Sequence, residues 1–535
     1  MIRSWLFLLA LSFGARAQTP LILISIDTLR ADRVGPGTPN IKAFAEDGTV
    51  YTHAETQVPF TLPSHTVLMT STYPFRNGVE ENASRVPGNL TTLASVLKAH
   101  GYRTAAFIGS IFLEKQLGLD RGFDTYDSPF SFEAFSRLSG TMFLGGRAKS
   151  PYSVRESRPG ALVLAAANRW LAAHTGQPAF AFIHLFDVHQ PWRLGSYDAE
   201  VDYVDKLLGS FQQTLRREGW WDRSLIIVTA DHGEGLGEHG ESDHGYFVYE
   251  STLHVPLIIH WPLTGQRLPD LSENPVGLID IAPTVLDTLK IPAPAAFTGR
   301  SLFDTSARPV VSESTYARDC FGWADLRTIR EGSLKYIEAP KPELYNLAKD
   351  PAEKINLIRT QPADAARLKA DLLQFGANSA PRSAPHPENG EALRSLGYLA
   401  PGPHAASPKT PPADPKDKFP ELLRYEEAIN RMEEKRYDSA ITILRSILAA
   451  DPGNLLARRD LGVALIEKRD YPAAIAQLRQ VTGIAGDDYV TRYELGIAEE
   501  NTGHIPEAAA QFEAACRLAP GAAQCQEALV RVRGK

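Results

Sequence analysis

The sequence predicts an α/β protein with a mostly parallel central sheet, followed by a separate all-α unit. Three observations carry this. Short apolar runs alternate with amphipathic helical stretches from Pro20 to about Ile259. Three of those runs lead into an aspartate: Asp27, Asp187 and Asp231. Near the C-terminus the pattern changes to a 34-residue period, since Ala440, Ala474 and Ala508 are evenly spaced (474−440 and 508−474).

The elements follow in order. Leu21–Ile26 is a short, largely apolar run, consistent with a strand covered on both faces. Thr38-Pro39-Asn40 starts an amphipathic helix expected to stop at Gly48. Leu90–His100 reads as a helix closed by Gly101, with a strand at Thr104–Ile108. Gly160–His174 is helical, and Ala179–Leu185, Leu225–Thr229 and Pro256–Ile259 are strands. In such sheets ligands bind beyond the carboxyl ends of the strands, where the three aspartates fall.

Composition narrows the function classes. The 535 residues carry 56 Lys and Arg against 63 Asp and Glu, a net charge of −7. No basic stripe suggests a nucleic-acid-binding surface. The three cysteines, Cys320, Cys516 and Cys525, form neither a disulfide framework nor a zinc-finger spacing. Cys516 and Cys525 are close enough to pair in an oxidising compartment, or to remain free core thiols. Residues 1–17 read as an export signal: Arg3, an apolar run from Trp5 to Phe13, and Ala15-Arg16-Ala17. That run is far shorter than the ~20 residues a spanning helix needs. The expectation is a mature chain from about Gln18, without a transmembrane segment, exported to the periplasm or secreted.

Two stretches carry chemistry. In VPFTLPSHTVLMT, Thr61 stands where a helix begins, with Pro63 in its first turn. It reads as a nucleophile, or as an ordinary N-cap. The helix N-terminus is expected to favour a transferring anion. The second stretch, DHGEGLGEHGESDHG, directly follows a strand and brings Asp231, His232 and His244 into one Gly-rich loop. Carboxylate and imidazole are ligands for zinc and similar ions.

On these residues the chain resembles the sulfatase family of the alkaline phosphatase superfamily. The carriers are SIDTLRADRVG, TPNIKAFAEDGTVYTHAET, TADHGEGLGEHGESDHGYFVYESTLHVPLIIHWP and ELYNLAKDPAEKINL, over about residues 20–400. The resemblance implies a divalent metal, zinc foremost with manganese or calcium as alternatives, held by Asp27, Thr61, Asp231 and His232. Thr61 departs from the family pattern, which has Cys or Ser that becomes formylglycine, and His65 stands in place of Arg. A threonine cannot yield the aldehyde, because its Cβ carries a methyl and oxidation stops at a ketone. TLPSHTVLMTSTYP is instead similar to the nucleophile motif of the nucleotide pyrophosphatase/phosphodiesterases, where a Thr attacks phosphorus between two metal ions. That likeness implies a second ion on Asp187, His189 and His244, and a role for His65 in orienting Thr61 or a non-bridging oxygen, unless His65 is simply a core or helix-surface residue. Lys98 and Arg103 are read as solvated surface charges rather than anion contacts.

The Pro/Ala-rich stretch at 401–418 reads as a linker between a hydrolase region, 18–400, and the unit at 419–535. Leu461-Gly462 and Leu495-Gly496 repeat at the 34-residue step, as do Tyr437 and Tyr471. This is the tetratricopeptide signature. Repeats are expected near 421–454, 455–488 and 489–522, with a closing helix to Arg533. They offer a concave surface for a protein or peptide partner, or serve as a self-docking appendage. The combined expectation is an exported, metal-dependent hydrolase of a small anionic ester, cleaving phosphate mono- or diesters through Thr61. The alternatives are a sulfatase working without formylglycine, and an inactive hydrolase region serving as scaffold for the repeats.

Overall fold

The computed structural model describes residues 18–46, 48–82, 84–130, 157–263, 274–375, 411–484, 489–518 and 523–534. The export signal at 1–17, the end of the hydrolase region at 376–400 and linker residues 401–410 lie outside these. Among the described residues no helix is long and apolar enough to cross a membrane.

The central sheet contains β1 (Leu21–Ile26), β2 (Gly48–Glu55), β3 (Arg103–Phe107), β4 (Thr125–Asp127), β5 (Ala179–Leu185), β6 (Leu225–Thr229), β7 (His254–His260) and β8 (Val276–Gly277). Their order is β4-β3-β5-β1-β6-β7-β2-β8. β1 lies at the centre, parallel to β5 on one side and β6 on the other. Only β7 opposes its neighbours. All six β1 side chains are buried, which explains why five are apolar, and the sixth, Ser25, is hydrogen-bonded to His65. The helix expected from Pro39 to Gly48 ends at Ala43, because β2, unread in the sequence, claims residues from Gly48 for pairing with β7.

Helix α1 (Thr61–Thr70) is buried along its full length. Helices α2 (Gly160–Ala173) and α3 (Tyr197–Arg217) cover the sheet. A second, antiparallel sheet is formed by β9 (Val310–Ser314), β10 (Leu326–Glu331), β11 (Leu334–Glu338) and β12 (Glu343–Asn346). It meets the first through buried ion pairs: Arg330 with Glu55 of β2 at 2.6 Å, and Lys335 with Glu250, just before β7, at 2.8 Å. Breaking one such pair leaves an uncompensated buried charge, so the two sheets hold each other in fixed register.

The C-terminal unit is helical: α4 (Pro415–Glu433), α5 (Tyr437–Ala450), α6 (Leu455–Glu467), α7 (Tyr471–Ile484), α8 (Tyr489–Asn501), α9 (Ile505–Leu518) and α10 (Ala523–Arg533). These are three helix pairs and a closing helix, in step with the 34-residue period. The last residues of the expected linker are helical instead, because Asp414 caps the Lys416 N–H at 2.9 Å and Pro415 suits the first helical position. Cys516 and Cys525 form a disulfide that ties α10 to α9, with Cα atoms 5.5 Å apart.

The repeated glycine has a packing reason. A Cβ at Gly496 would lie 2.7 Å from the Phe512 ring of α9, and one at Gly462 would lie 2.6 Å from Leu478 of α7. Gly496→Ala is therefore expected to destabilise the repeat region by about 1–3 kcal/mol. Gly483→Ala, with open space at its Cβ, is expected to be neutral or to stabilise by up to about 0.5 kcal/mol. Urea unfolding followed by far-ultraviolet circular dichroism checks the pair.

Candidate active site

The sheet brings the predicted residues together at the carboxyl ends of β1 and β6. Asp27 follows β1, and Asp231 and His232 follow β6; all three are fully buried. Three of their atoms, Asp27 Oδ1, Asp231 Oδ2 and His232 Nε2, have no hydrogen-bond partner in the protein. Ligand atoms from these three residues lie within 4.8 Å of one another. Unpaired buried ligand atoms converging this closely are what a divalent cation requires.

The electrostatics agree. Burial pushes Asp27 up to about 7, while His244, Asp231 and Thr61 pull the other way. Burial, followed by the charge of Asp27, raises Asp231 well above the carboxylate range. Burial and the neighbouring His244 hold His232 neutral, well below its ordinary value. Two adjacent carboxyls and a neutral imidazole, costly to ionise alone, suit a bound dication. His232 Nδ1 donates to the Gly233 carbonyl at 2.9 Å, which fixes the tautomer with Nε2 as the acceptor.

The surroundings lock this arrangement. Thr28 sits in the left-handed region, φ 57°, unusual for a β-branched residue. That turn lets its N–H donate to Asp231 Oδ1 at 3.3 Å, while Tyr197 donates to its carbonyl at 2.8 Å. Ser64 Oγ donates to the Asp231 carbonyl at 2.7 Å. Strain of this kind persists where the surroundings over-determine it.

Thr61 is the first residue of α1 and fully buried, its hydroxyl donating to Asp27 Oδ2 at 3.4 Å. The expected use of the α1 N-terminus as an anion cradle is partly pre-empted. The Leu62 N–H goes to Asn82 Oδ1 at 2.9 Å, Pro63 has none, and the Ser64 N–H goes to the Phe60 carbonyl. His65 acts as a strut, although its ring also lies close to Asp231 and His184. Its Nδ1 donates to the Thr61 carbonyl at 2.7 Å, and its Nε2 accepts from Ser25 Oγ of β1 at 2.9 Å. Burial, then His184, keeps it neutral. It therefore fixes the backbone of Thr61 against β1.

Of the residues expected to hold a second ion, Asp187 is committed elsewhere. Its carboxylate accepts the Gly160 N–H at 2.9 Å, at the start of α2, and pairs with Arg193 at 2.5 Å. Asp187 and His189 line a cleft with Arg158, Phe186 and Arg193. His189 does approach the cluster, its ring 5.2 Å from His244. The His244 ring lies 4.3 Å from His232, with Nδ1 held by Glu234 at 2.9 Å and Asp243 at 3.0 Å. Burial opposes a charge on His244, but these two carboxylates overcome it and hold its pKa well above the usual range. Gly245 allows the loop to turn here, at φ +100°, and a Cβ there would strike the Phe60 ring at 2.3 Å. Lys98 pairs with Asp124 at 2.8 Å, half-exposed, as a surface charge.

Sequence reasoning missed two members of the site. His184 Nε2 lies 3.2 Å from Asp27 Oδ2, and burial pushes its pKa down to about 3. The available signal was a single His inside the apolar strand AFAFIHL. Glu234, buried, orients His244; it stands in the quoted DHGE stretch without an assigned role.

Residues 20–291, more than half of the chain, match the family model described as Sulfatase. The chain belongs to the sulfatase family. Its sulfatase region continues into a match over 237–375 to the C-terminal part of N-sulphoglucosamine sulphohydrolase, and residues 431–493 match a tetratricopeptide repeat. Among curated relatives, Arylsulfatase K of Bos taurus is 30% identical over 192 residues, 33% of this chain and 35% of that protein. Choline-sulfatase of Rhizobium meliloti is 34% identical over 187 residues, again 33% and 35%. The chain thus spans about a third of each of these relatives. Among solved structures, the Phosphonate Monoester Hydrolase of Agrobacterium radiobacter shares the fold, with TM-score 0.53 at 20% identity over 67% of this chain and 96% of that one.

The site geometry makes a clear prediction for this sulfatase-family chain. Asp27→Asn and Asp231→Asn are expected to lower bound divalent metal at least about tenfold. Asp187→Asn is expected to keep the metal and lose stability instead, through Gly160 and Arg193. Metal analysis of dialysed protein, beside thermal unfolding, checks both.

Proposed function

We propose that the chain is a metal-dependent hydrolase of anionic esters that uses Thr61 as its nucleophile, with phosphate esters as substrates. The observation that carries this is the position of the Thr61 hydroxyl, 3.4 Å from Asp27 Oδ2, beside three converging ligand atoms without protein partners. A threonine hydroxyl is a weak nucleophile at neutral pH. Asp27, Asp231 and His232 would hold the cation, which supplies Lewis-acid charge to lower the pKa of a nearby hydroxyl and neutralise developing negative charge. The protein's own groups do the rest. Asp27 Oδ2 takes the hydroxyl hydrogen bond and so leaves the Thr61 oxygen lone pairs free for attack. His65 fixes the Thr61 backbone to β1. Attack by Thr61 Oγ1 forms a Thr–O–P bond as the P–O bond to the leaving group breaks, and the proton lost by the Thr61 hydroxyl is matched by the one gained by the departing alcohol. Water then cleaves that bond, restores the hydroxyl and releases phosphate from a monoester or a phosphate monoester from a diester. His244, which Glu234 and Asp243 hold through Nδ1 beside His232, would serve as a further contact to the anionic group or as a ligand of a second ion.

A second reading, sulfate ester hydrolysis without formylglycine, is favoured by the relatives, which are named as sulfatases. We also read the chain as exported, with the Cys516–Cys525 disulfide in support of an oxidising compartment, and the repeats as a protein-binding surface.

Matched aryl esters separate the readings. Phosphate ester cleavage is expected to need zinc or manganese and to fall by at least about 10³-fold in Thr61→Ala. Sulfate cleavage that survives Thr61→Ala would overturn the nucleophile assignment.

A further inference from the structure

The loop that carries His244 is closed from outside by the first helix of the repeat region. Phe419 of α4 is 5% exposed. Its ring lies 4.7 Å from Phe247 and 5.5 Å from Tyr246. The contact continues inward. Tyr246 meets Tyr316 at 4.9 Å, Tyr316 meets Phe60 at 5.1 Å, and Phe60 is the residue before Thr61. Phe60 also stands edge-on to His244 at 6.2 Å. From the inner side, buried Glu241 accepts the N–H groups of Tyr246 and Phe247 at 2.9 and 3.2 Å.

The seat of α4 is built rather than incidental. Leu422 joins Phe419 in one apolar cluster with Tyr249, Trp323 and Tyr345. Polar contacts rim it: the Lys341 N–H donates to Asp414 at 2.8 Å, Lys341 Nζ pairs with Asp417 at 2.6 Å, and the Ala324 N–H donates to the Ala413 carbonyl at 2.8 Å. Glycine-rich loops with few contacts of their own open at low cost. A buried aromatic wedge removes that freedom.

We propose that Phe419 is a positioning residue of the hydrolase site, and that the repeat region serves as the outer wall of the His244–Phe247 segment as well as a binding module. The proposal rests on the hydrolase reading for its catalytic meaning, but the docking itself is tested without activity. The full chain is compared with Phe419→Ala, Phe419→Leu and the exposed control Leu423→Ala. Hydrogen exchange of residues 241–249 and Mn²⁺ affinity by chelator competition are both read.

Phe419→Ala is expected to speed exchange of 241–249 by at least about tenfold and to weaken Mn²⁺ binding by at least about threefold. Phe419→Leu restores most of both, and Leu423→Ala changes neither. If Phe419→Ala instead loosens the repeats throughout, Tyr246→Leu gives the same readout from the hydrolase side. Unchanged exchange, or unchanged Mn²⁺ affinity, in the folded variant overturns the proposal. A wild-type chain that cleaves no ester sinks the hydrolase reading while exchange still decides the docking.

Discussion

Two carboxyl groups, those of Asp27 and Asp231, are buried side by side where β1 and β6 end, and the rest of the catalytic region is arranged around that cost. The charge of His244 lowers the pKa of both aspartates but does not offset their burial, and the imidazoles His65, His184 and His232 beside them are held uncharged by burial. Ionising such a pair is expensive unless a positive charge sits between them. The turn at Thr28, the Ser64 contact to Asp231 and the His65 strut all hold the pair in place. A site so constrained is preorganised for one guest, a divalent cation, with Thr61 at its edge.

The same constraint reaches outward. His244 is held beside His232 by Glu234 and Asp243, and its loop is covered on two sides. Phe60 covers it from within and Phe419 from the repeats. The helical unit is thus joined to the hydrolase region through the loop that carries His244.

Much of this was legible in the sequence. Apolar strands leading into aspartate put Asp27 and Asp231 at the site, and the 34-residue period located the helix pairs closely. Three things were not legible, each for a physical reason. His184 reaches Asp27 only because β5 pairs with β1 in a register that sets it opposite Ser25, and register is invisible in one strand read alone. Asp187 obeyed the strand-end rule yet is claimed by Gly160 and Arg193, one of them 27 residues away. The free N–H groups expected at α1 are partly used by Asn82, a loop residue that no local pattern ties to the helix.

The measurement that bears most directly on the account is anomalous X-ray diffraction from crystals of the full chain grown with manganese or zinc. The account predicts an anomalous peak about 2.0–2.2 Å from Asp27 Oδ1, Asp231 Oδ2 and His232 Nε2, within reach of the Thr61 hydroxyl. A peak held instead by Glu234, Asp243 and His244, or none at all near Asp27 at saturating metal, would contradict it.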